Sequence, residues 1–195
     1  MNAQLQTSSG HNPYNLVQYD LMGFGVEVSN VTYSGSLEAI GKFNGSVTTL
    51  GIDEGIIMTT GTIADVEAGP HGPNDLTNAG VDNAMPGYPP LSNLFEISTF
   101  NASVLEFDFV SISDTVQLEY IFGSEEYPEY INTQFNDVIA FFISGPGING
   151  VRNMALIPNT SLEVNINSIN NGQSNSGPCN YCIYYNFNGL SLIHI

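Results

Sequence analysis

Apolar and polar residues alternate most clearly in the stretch SVLEFDFV, residues 103–110. Leu105, Phe107 and Phe109 fall on one face of an extended chain, and Glu106 and Asp108 fall on the other. The stretch TVQLEYIFG, residues 115–123, alternates in the same way after the polar turn SISD. We therefore expect a hairpin of two antiparallel strands with one buried and one solvated face.

Shorter patterns precede this hairpin. NPYNLVQYDLMG has apolar residues near helical spacing and predicts a short helix that ends at Gly23, while SLEAIGKF predicts one or two helical turns with Ser36 as the cap. VEVSNVTY alternates and is rich in β-branched residues, so it predicts a strand. VTTLGIDEGIIMTTG predicts two short strands around a turn at Asp53-Glu54-Gly55.

After the hairpin, DVIAFFISG is apolar without alternation and predicts a central strand covered on both faces. MALIP and LEVNIN predict further short strands. Residues 64–93 are dense in Gly, Pro, Asn and Asp and predict a long loop. The fold class we expect is mainly β: an antiparallel, jelly-roll-like β-sandwich with one or two short helices and this long loop.

The expected domain organisation is simple. Residues 1–12 are polar and predict a flexible segment, in which MNAQLQ is typical of the end of a signal and processing region. Residues 13–190 predict a single β-sandwich domain that is truncated at its C-terminus. The final residues 191–195 interrupt the pattern without any turn chemistry, and we interpret them as a non-native tail.

Charge narrows the possible functions. The 195 residues include 19 acidic residues but only Lys42 and Arg152 as cations, so the formal net charge is −17. Such a surface repels phosphate backbones and anionic lipid, which argues against nucleic-acid and membrane-surface binding. No apolar run reaches the ~20 residues that span a bilayer. The near-absence of Lys is typical of an exported protein.

Two cysteines, Cys179 and Cys182, form one Cys-x-x-Cys motif. Zinc needs two further ligands, and the three histidines are scattered along the chain. The motif also lacks the strand–helix context of a thioredoxin-type site. A local disulfide in an exported protein is the favoured interpretation, with two free thiols or bonds to other cysteines as alternatives.

The strongest candidate site is the acidic loop, which we define as GSEEYPEYINTQFND, residues 123–137. It supplies carboxylate and amide oxygens from Glu125, Glu126, Glu129, Asn136 and Asp137. Calcium takes six to eight oxygen ligands in flexible geometry, so this set favours calcium over zinc. The alternative is a solvated loop whose Glu side chains cap backbone amides.

Two other functions remain open. Exposed tyrosines stack on sugars, and the candidates for a carbohydrate-binding module of a secreted degradative enzyme are Tyr127, Tyr130 and Tyr88, together with Tyr184 or Tyr185 in CIYYNF. A hydrolase would need paired carboxylates, for which Glu126 with Asp137, or Glu106 with Glu119 across the hairpin, qualify. No nucleophile elbow or Ser-His-Asp arrangement supports that chemistry, so no residue is assigned a catalytic role.

Several stretches together resemble the choice-of-anchor L domain of bacterial secreted and cell-surface proteins. They include LMGFGVEVSNVTYSGSLEAIGKF, LGIDEGIIMTTG, the segment from VLEFDFV through FGSEEYPEY to FNDVIAFFISGPG, and VNINSINNG. The resemblance implies an exported modular protein, attached to the envelope through segments that vary among members and are absent here, and it implies no established activity. The leading hypothesis is a non-enzymatic surface module, stabilised by calcium, for adhesion or binding of an extracellular glycan or surface protein.

Overall fold

The computed structural model describes residues 5–64, 82–187 and the backbone of 193–194. These residues fall into two compact units. The first unit holds the described residues up to 64 together with 82–92 and 96–120, and the second holds 93–95 and the described residues from 121 onward. The described residues exclude part of the predicted long loop, residues 65–81, and part of the predicted tail, residues 191, 192 and 195.

Nine short strands and two short helices make up most of the regular structure described. The first unit contains β1 (Gln6–Ser8), α1 (Pro13–Asn15), β2 (Val26–Ser34), β3 (Ile40–Asn44), β4 (Glu54–Met58), β5 (Val104–Ser111) and most of α2 (Pro89–Phe95). The second unit contains β6 (Gly123–Ser124), β7 (Phe142–Ile143), β8 (Arg152–Asn153) and β9 (Ile193–His194). All named strand pairs are antiparallel, so the predicted mainly β fold class is confirmed.

The first unit has two antiparallel sheets, one of β1, β3 and β4 and one of β2 and β5. In β5, half-buried and exposed residues alternate as the sequence predicts, and Phe109 lies opposite Val28. The register shifts between Ser29 and Thr32, where Asn30 takes a φ of 51°. Such a shift marks a β-bulge, which bends the strand and re-aims its side chains.

A helical segment contacts strands of both sheets. It starts as α1, which the Asn12 side chain caps by accepting a hydrogen bond from Tyr14 N, and continues as a π-helical stretch over Leu16–Leu21. Leu16 and Val17 are completely buried. The predicted short helix is thus present, and it contributes buried apolar side chains to the unit whose two sheets it contacts.

The predicted loop over residues 64–93 runs into α2, which begins at Pro89, and two predictions about neighbouring strands are also wrong. The strand β5 pairs with β2, whereas residues 115–122 form no strand, so the predicted hairpin is absent. Residues 45–53 form turns closed by the bond from Gly45 N to Asp53 O, and Glu54 and Gly55 belong to β4. In both cases the apolar pattern indicates which face is buried but does not specify the partner strand.

The N-terminal segment predicted to be flexible contains β1, which pairs with β3 from Gln6↔Asn44 to Ser8↔Lys42. Gly41 makes this pairing possible, because a Cβ atom at that position would collide with the backbone oxygen of Ser8. The close approach of two backbones therefore depends on the missing side chain.

The second unit has a different construction. Its named strands span two residues each, and isolated bridges join Val138 with Asn165 and Leu156 with Glu163. The residues predicted as a central strand, DVIAFFISG, contain only β7. Its buried core is largely aliphatic and comprises Phe122, Tyr127, Ile131, Ala155, Ile157, Val164, Ile166 and Ile169. This core holds the acidic loop in place.

Candidate functional site

The acidic loop is anchored at both its start and its middle. Ser124 lies in β6 and is 3% exposed, and Tyr127 and Ile131 are completely buried. Backbone bonds from Tyr130 N to Glu126 O (3.0 Å) and from Thr133 N to Tyr130 O (3.0 Å) close turns between these points. Since its buried side chains fix the loop against the core of the second unit, its polar groups have defined positions.

Ser124 hydrogen-bonds to both acidic residues that the sequence pairs, to the side chain of Asp137 and to the backbone of Glu126. Its Oγ donates a hydrogen bond to Oδ2 of Asp137 at 2.6 Å and accepts one from the backbone N–H of Glu126 at 3.1 Å. Asp137 is 13 residues further along the chain. The structure therefore holds the Asp137 side chain close to the backbone of Glu126, and the charge of Asp137 acts on the Glu126 carboxyl group.

The electrostatics of this pair are unusual for surface acids. Burial, with a smaller contribution from the nearby charge of Asp137, raises the pKa of Glu126 to about 7. Burial also raises the pKa of Asp137, and the hydrogen bond from Ser124 opposes that rise. Asp137 is exposed when the whole residue is considered. The burial that raises its pKa therefore concerns the carboxyl group and not the rest of the residue. Two carboxylates that are desolvated together favour a bound proton or cation.

Three buried side-chain oxygen atoms of the second unit have no hydrogen-bond partner among the described residues: Oε2 of Glu126, Oδ1 of Asn136 and the hydroxyl of Tyr185. A buried polar atom without a partner costs about 1–3 kcal/mol. The Glu126 and Asn136 atoms are oxygen acceptors of the kinds that calcium binds. Unsatisfied oxygens on residues of one loop are therefore what a cation site requires.

The other predicted metal ligands are less closely associated. The charge of Glu129 acts on Tyr185, whose pKa rises to about 12 mainly because of burial. Glu125 is half-buried and has an interaction of its own. Within the described part of the chain, no group of three or more His, Cys, Asp or Glu side chains is arranged to hold a metal ion. Amide, hydroxyl or backbone oxygens would have to complete any calcium shell here.

The predicted sugar-stacking tyrosines occupy three different settings. Tyr127 is buried, its hydroxyl donates to the backbone oxygen of Ile169, and its ring lies 4.9 Å from that of Tyr185, so it is a core residue instead of an exposed platform. Tyr130 is half-buried and meets Phe135 edge to face at 5.2 Å. Tyr88, in the first unit, is half-buried, and its pKa is raised by burial and then by Glu106. Only Tyr130 belongs to the acidic loop and keeps some exposed surface.

Cys179 and Cys182 form a disulfide bond in the structure, with 5.2 Å between their Cα atoms. Sequence analysis does not single out Ser124 as a site residue, and it offers Tyr185 only as a sugar-stacking candidate. A small hydroxyl residue directly before two glutamates was an available signal for Ser124, whereas Tyr185 approaches the loop only through tertiary folding.

No helix within the described ranges has the length and apolar character that a bilayer crossing requires. The family model of the choice-of-anchor L domain matches residues 4–194. No curated protein and no solved structure matches the chain. Because the family match covers nearly the entire sequence, this chain belongs to the choice-of-anchor L domain family.

Proposed function

We propose that the chain is a non-enzymatic, exported surface module that binds an extracellular ligand and is stabilised by a calcium ion held in the acidic loop. Membership of the choice-of-anchor L family makes it a bacterial cell-surface or secreted protein. Calcium is abundant outside cells at concentrations that suit weak extracellular sites of about 10⁻⁴–10⁻³ M. The proposal therefore links the location of the protein with the chemistry of its loop.

The single observation that carries the calcium proposal is the buried, unpartnered Oε2 of Glu126 beside Asp137. Asn136 adds a second unpartnered oxygen from the residue adjacent to Asp137. We assign Glu126, Asn136 and Asp137 as the central ligands, and Glu125 and Glu129 as outer acids that strengthen the local negative potential. A calcium ion at this position would satisfy the orphan oxygens and offset the repulsion between the carboxylates.

A proton is the natural competitor of the ion. At low pH the raised pKa of Glu126 lets a proton neutralise that carboxyl group, and calcium must then displace it. Calcium binding should therefore strengthen as the pH rises from about 5 to 8. This pH dependence is expected of a specific carboxylate site. Calcium adsorbed by the overall negative charge would instead be released by added salt, which screens that charge.

The same raised pKa is what a general acid of a hydrolase needs. However, the Oε2 atom of Glu126 is buried, and a general acid must reach its substrate within hydrogen-bonding distance. The choice-of-anchor L family is also not known as enzymatic. We therefore favour the structural ion over catalysis by Glu126 and Asp137.

The test is a thermal melt of the full chain at pH 8, first with a chelator and then with millimolar calcium. At a hundredfold excess over Kd, a bound ion adds about 2.7 kcal/mol to the free energy of unfolding, so the melting temperature should rise clearly. Glu126→Gln and Asp137→Asn should each remove most of that rise. Magnesium should substitute poorly, because it demands tighter octahedral geometry.

Asp114→Asn is the matched control, since Asp114 is exposed and lies outside the acidic loop. It removes one negative charge and should leave the calcium response intact. An unchanged melting temperature in chelator and calcium, at pH 8, would overturn the calcium proposal. A response that Asp114→Asn reduces as much as Glu126→Gln does would show adsorption by net charge instead of a site.

A further inference from the structure

The second unit contains a groove of about 570 Å³ that the acidic-loop carboxylates do not line. We call it the amide groove. Four of its nine lining residues carry side-chain amides, and the full set is Ile131, Asn132, Asn170, Gly172, Gln173, Gly177, Pro178, Cys179 and Asn180. A concave surface with several convergent polar groups is the usual form of a small-ligand site.

The chemistry of the groove is neutral. None of its nine lining residues is charged, although the chain as a whole carries a formal net charge of −17. An anionic ligand would be repelled by the surrounding potential, and a metal cation would find no carboxylate among the lining residues. A purely apolar ligand would leave the amides without partners. A neutral ligand with many hydroxyl groups fits these constraints.

Three of the four amides have unused hydrogen-bonding capacity. Within the described residues, the side chain of Asn132 has no hydrogen-bond partner. The Nε2 group of Gln173 donates to Ile131 O at 3.3 Å and the Nδ2 group of Asn180 donates to Asn167 O at 3.0 Å, which leaves their carbonyl oxygens available. Asn170, by contrast, uses both ends of its side chain within the protein. The groove thus offers both donors and acceptors.

The walls of the groove are held in position before any ligand arrives. Asn170 and Asn180 exchange two backbone hydrogen bonds of 2.8 and 2.9 Å. Gly177 N donates to Asn171 O at 2.6 Å, and the backbone N–H of Asn132 donates to Oδ1 of Asn167 at the same distance. A prearranged site loses less conformational entropy on binding than a flexible one.

An aromatic pair lies directly beside the groove in sequence. Tyr130 precedes the lining residue Ile131, and its edge-to-face partner Phe135 is 49% exposed. Aromatic rings supply apolar surface for the C–H faces of a sugar, and this pair is connected to the groove lining along the chain at Ile131.

We propose that the amide groove binds a neutral glycan, with Asn132, Gln173 and Asn180 as the hydrogen-bonding residues. This inference rests on the ligand-binding role proposed above and names its ligand class and its place. The groove and the calcium site use different side chains, so the two can be tested separately.

The experiment measures binding of cello-, xylo-, manno- and chito-tetraose to the full chain in calcium, by ¹H–¹⁵N NMR. At least one neutral tetrasaccharide should give saturable shifts in the side-chain NH₂ signals of Asn132, Gln173 and Asn180. The signals of Asn83, whose side chain is bonded within the first unit, provide an internal reference. An oligogalacturonate and a neutral Gly/Ser peptide are measured in parallel.

Asn132→Gly and Asn159→Gly form a matched pair, because both positions have a φ of 62° that glycine accepts readily. Asn159 is exposed and does not line the groove. Asn132→Gly should weaken glycan binding about fivefold to tenfold through the loss of one side-chain hydrogen bond, and Asn159→Gly should leave it unchanged.

The failures of the glycan proposal and of the calcium proposal are distinguishable. If none of the four tetrasaccharides binds while the calcium response is intact, the glycan proposal is rejected and the calcium proposal is retained. Equal affinities of the two glycine variants place the sugar elsewhere. Tighter binding of oligogalacturonate, or shifts of the three amides by the peptide alone, would assign the groove to another ligand class. Glycan binding without any calcium response would remove the calcium site instead.

Discussion

In the first unit, the carboxylate of Asp20 accepts a hydrogen bond from the ammonium group of Lys42 at 2.7 Å. In the second unit, the Ser124 hydroxyl bonds to the carboxylate of Asp137 and to the backbone N–H of Glu126, and the charge of Asp137 acts on the Glu126 carboxyl group. Within the described residues, Asp20–Lys42 is the one ion pair. The comparison shows that the first unit pairs an acid with a cationic side chain, whereas neither Glu126 nor Asp137 forms an ion pair within the described residues.

The two units also satisfy their backbones differently. The first has the longest ladder, between β2 and β5, of nine and eight residues. In the second, side chains replace many ladder bonds: Oδ1 of Asn165 accepts from the backbone of Asn167 and Ser168, and Ser168 Oγ donates to Glu163 O. Short polar side chains can therefore support a packed core where regular strands are brief.

The largest effect we expect comes from truncating the core of each unit. Tyr127→Ala removes a fully buried ring and should lower the free energy of unfolding by about 3–5 kcal/mol, and Leu16→Ala should cost about 2–5 kcal/mol. Urea denaturation measures both, and amide hydrogen exchange shows where protection is lost. Tyr127→Phe keeps the ring and should cost much less. A Tyr127→Ala cost below about 1 kcal/mol would contradict the burial of this residue.

The second prediction concerns pH in the presence of chelator. The pKa of Glu126 is raised in the folded chain from 4.5 to about 7, so the folded state keeps a proton that the unfolded state releases. Its contribution to stability is fully present below about pH 4.5 and is lost as the pH rises to about 7. After allowance for solvent screening, we expect a loss on the order of 1–2 kcal/mol.

Urea denaturation at several pH values measures this loss, and Glu126→Gln should flatten the profile between these limits. A profile that rises over the same range and is unaffected by Glu126→Gln would contradict the desolvation of Glu126. Calcium should reduce the loss in the unsubstituted protein, since it stabilises the ionised pair. This comparison separates the effects of the proton and the ion at the same carboxylates.

The smallest predicted effect belongs to the ion pair of the first unit. Lys42→Met leaves Asp20, whose side chain is 21% exposed, without its cation and should cost about 1 kcal/mol. Arg152→Met is the control, because Arg152 is exposed and its substitution changes the net charge equally. It should alter stability by less than about 0.5 kcal/mol. Equal costs measured by urea denaturation would show that net charge, and not the pair with Asp20, determines the effect.

Local features were predictable from the sequence. The apolar residues Leu16, Val17 and Leu21, followed by Gly23, predict the short helix, because helical spacing and termination depend on neighbours in the chain. Alternation in residues 104–111 specifies the half-buried face of β5 for the same reason. The oxygen-rich composition of residues 123–137 also directs attention to the region where Glu126 and Asp137 are found.

Long-range choices were decided by the tertiary structure. Residues 104–111 pair with residues 26–34 and not with the nearby 115–122, since a period of two identifies a face but not a partner. The sequence likewise presents Tyr127 as one of several equivalent loop tyrosines. Its burial, its bond to Ile169 and the desolvation of Glu126 arise only when segments distant in the chain pack together, because desolvation depends on every atom that surrounds a group and not on its neighbours in sequence.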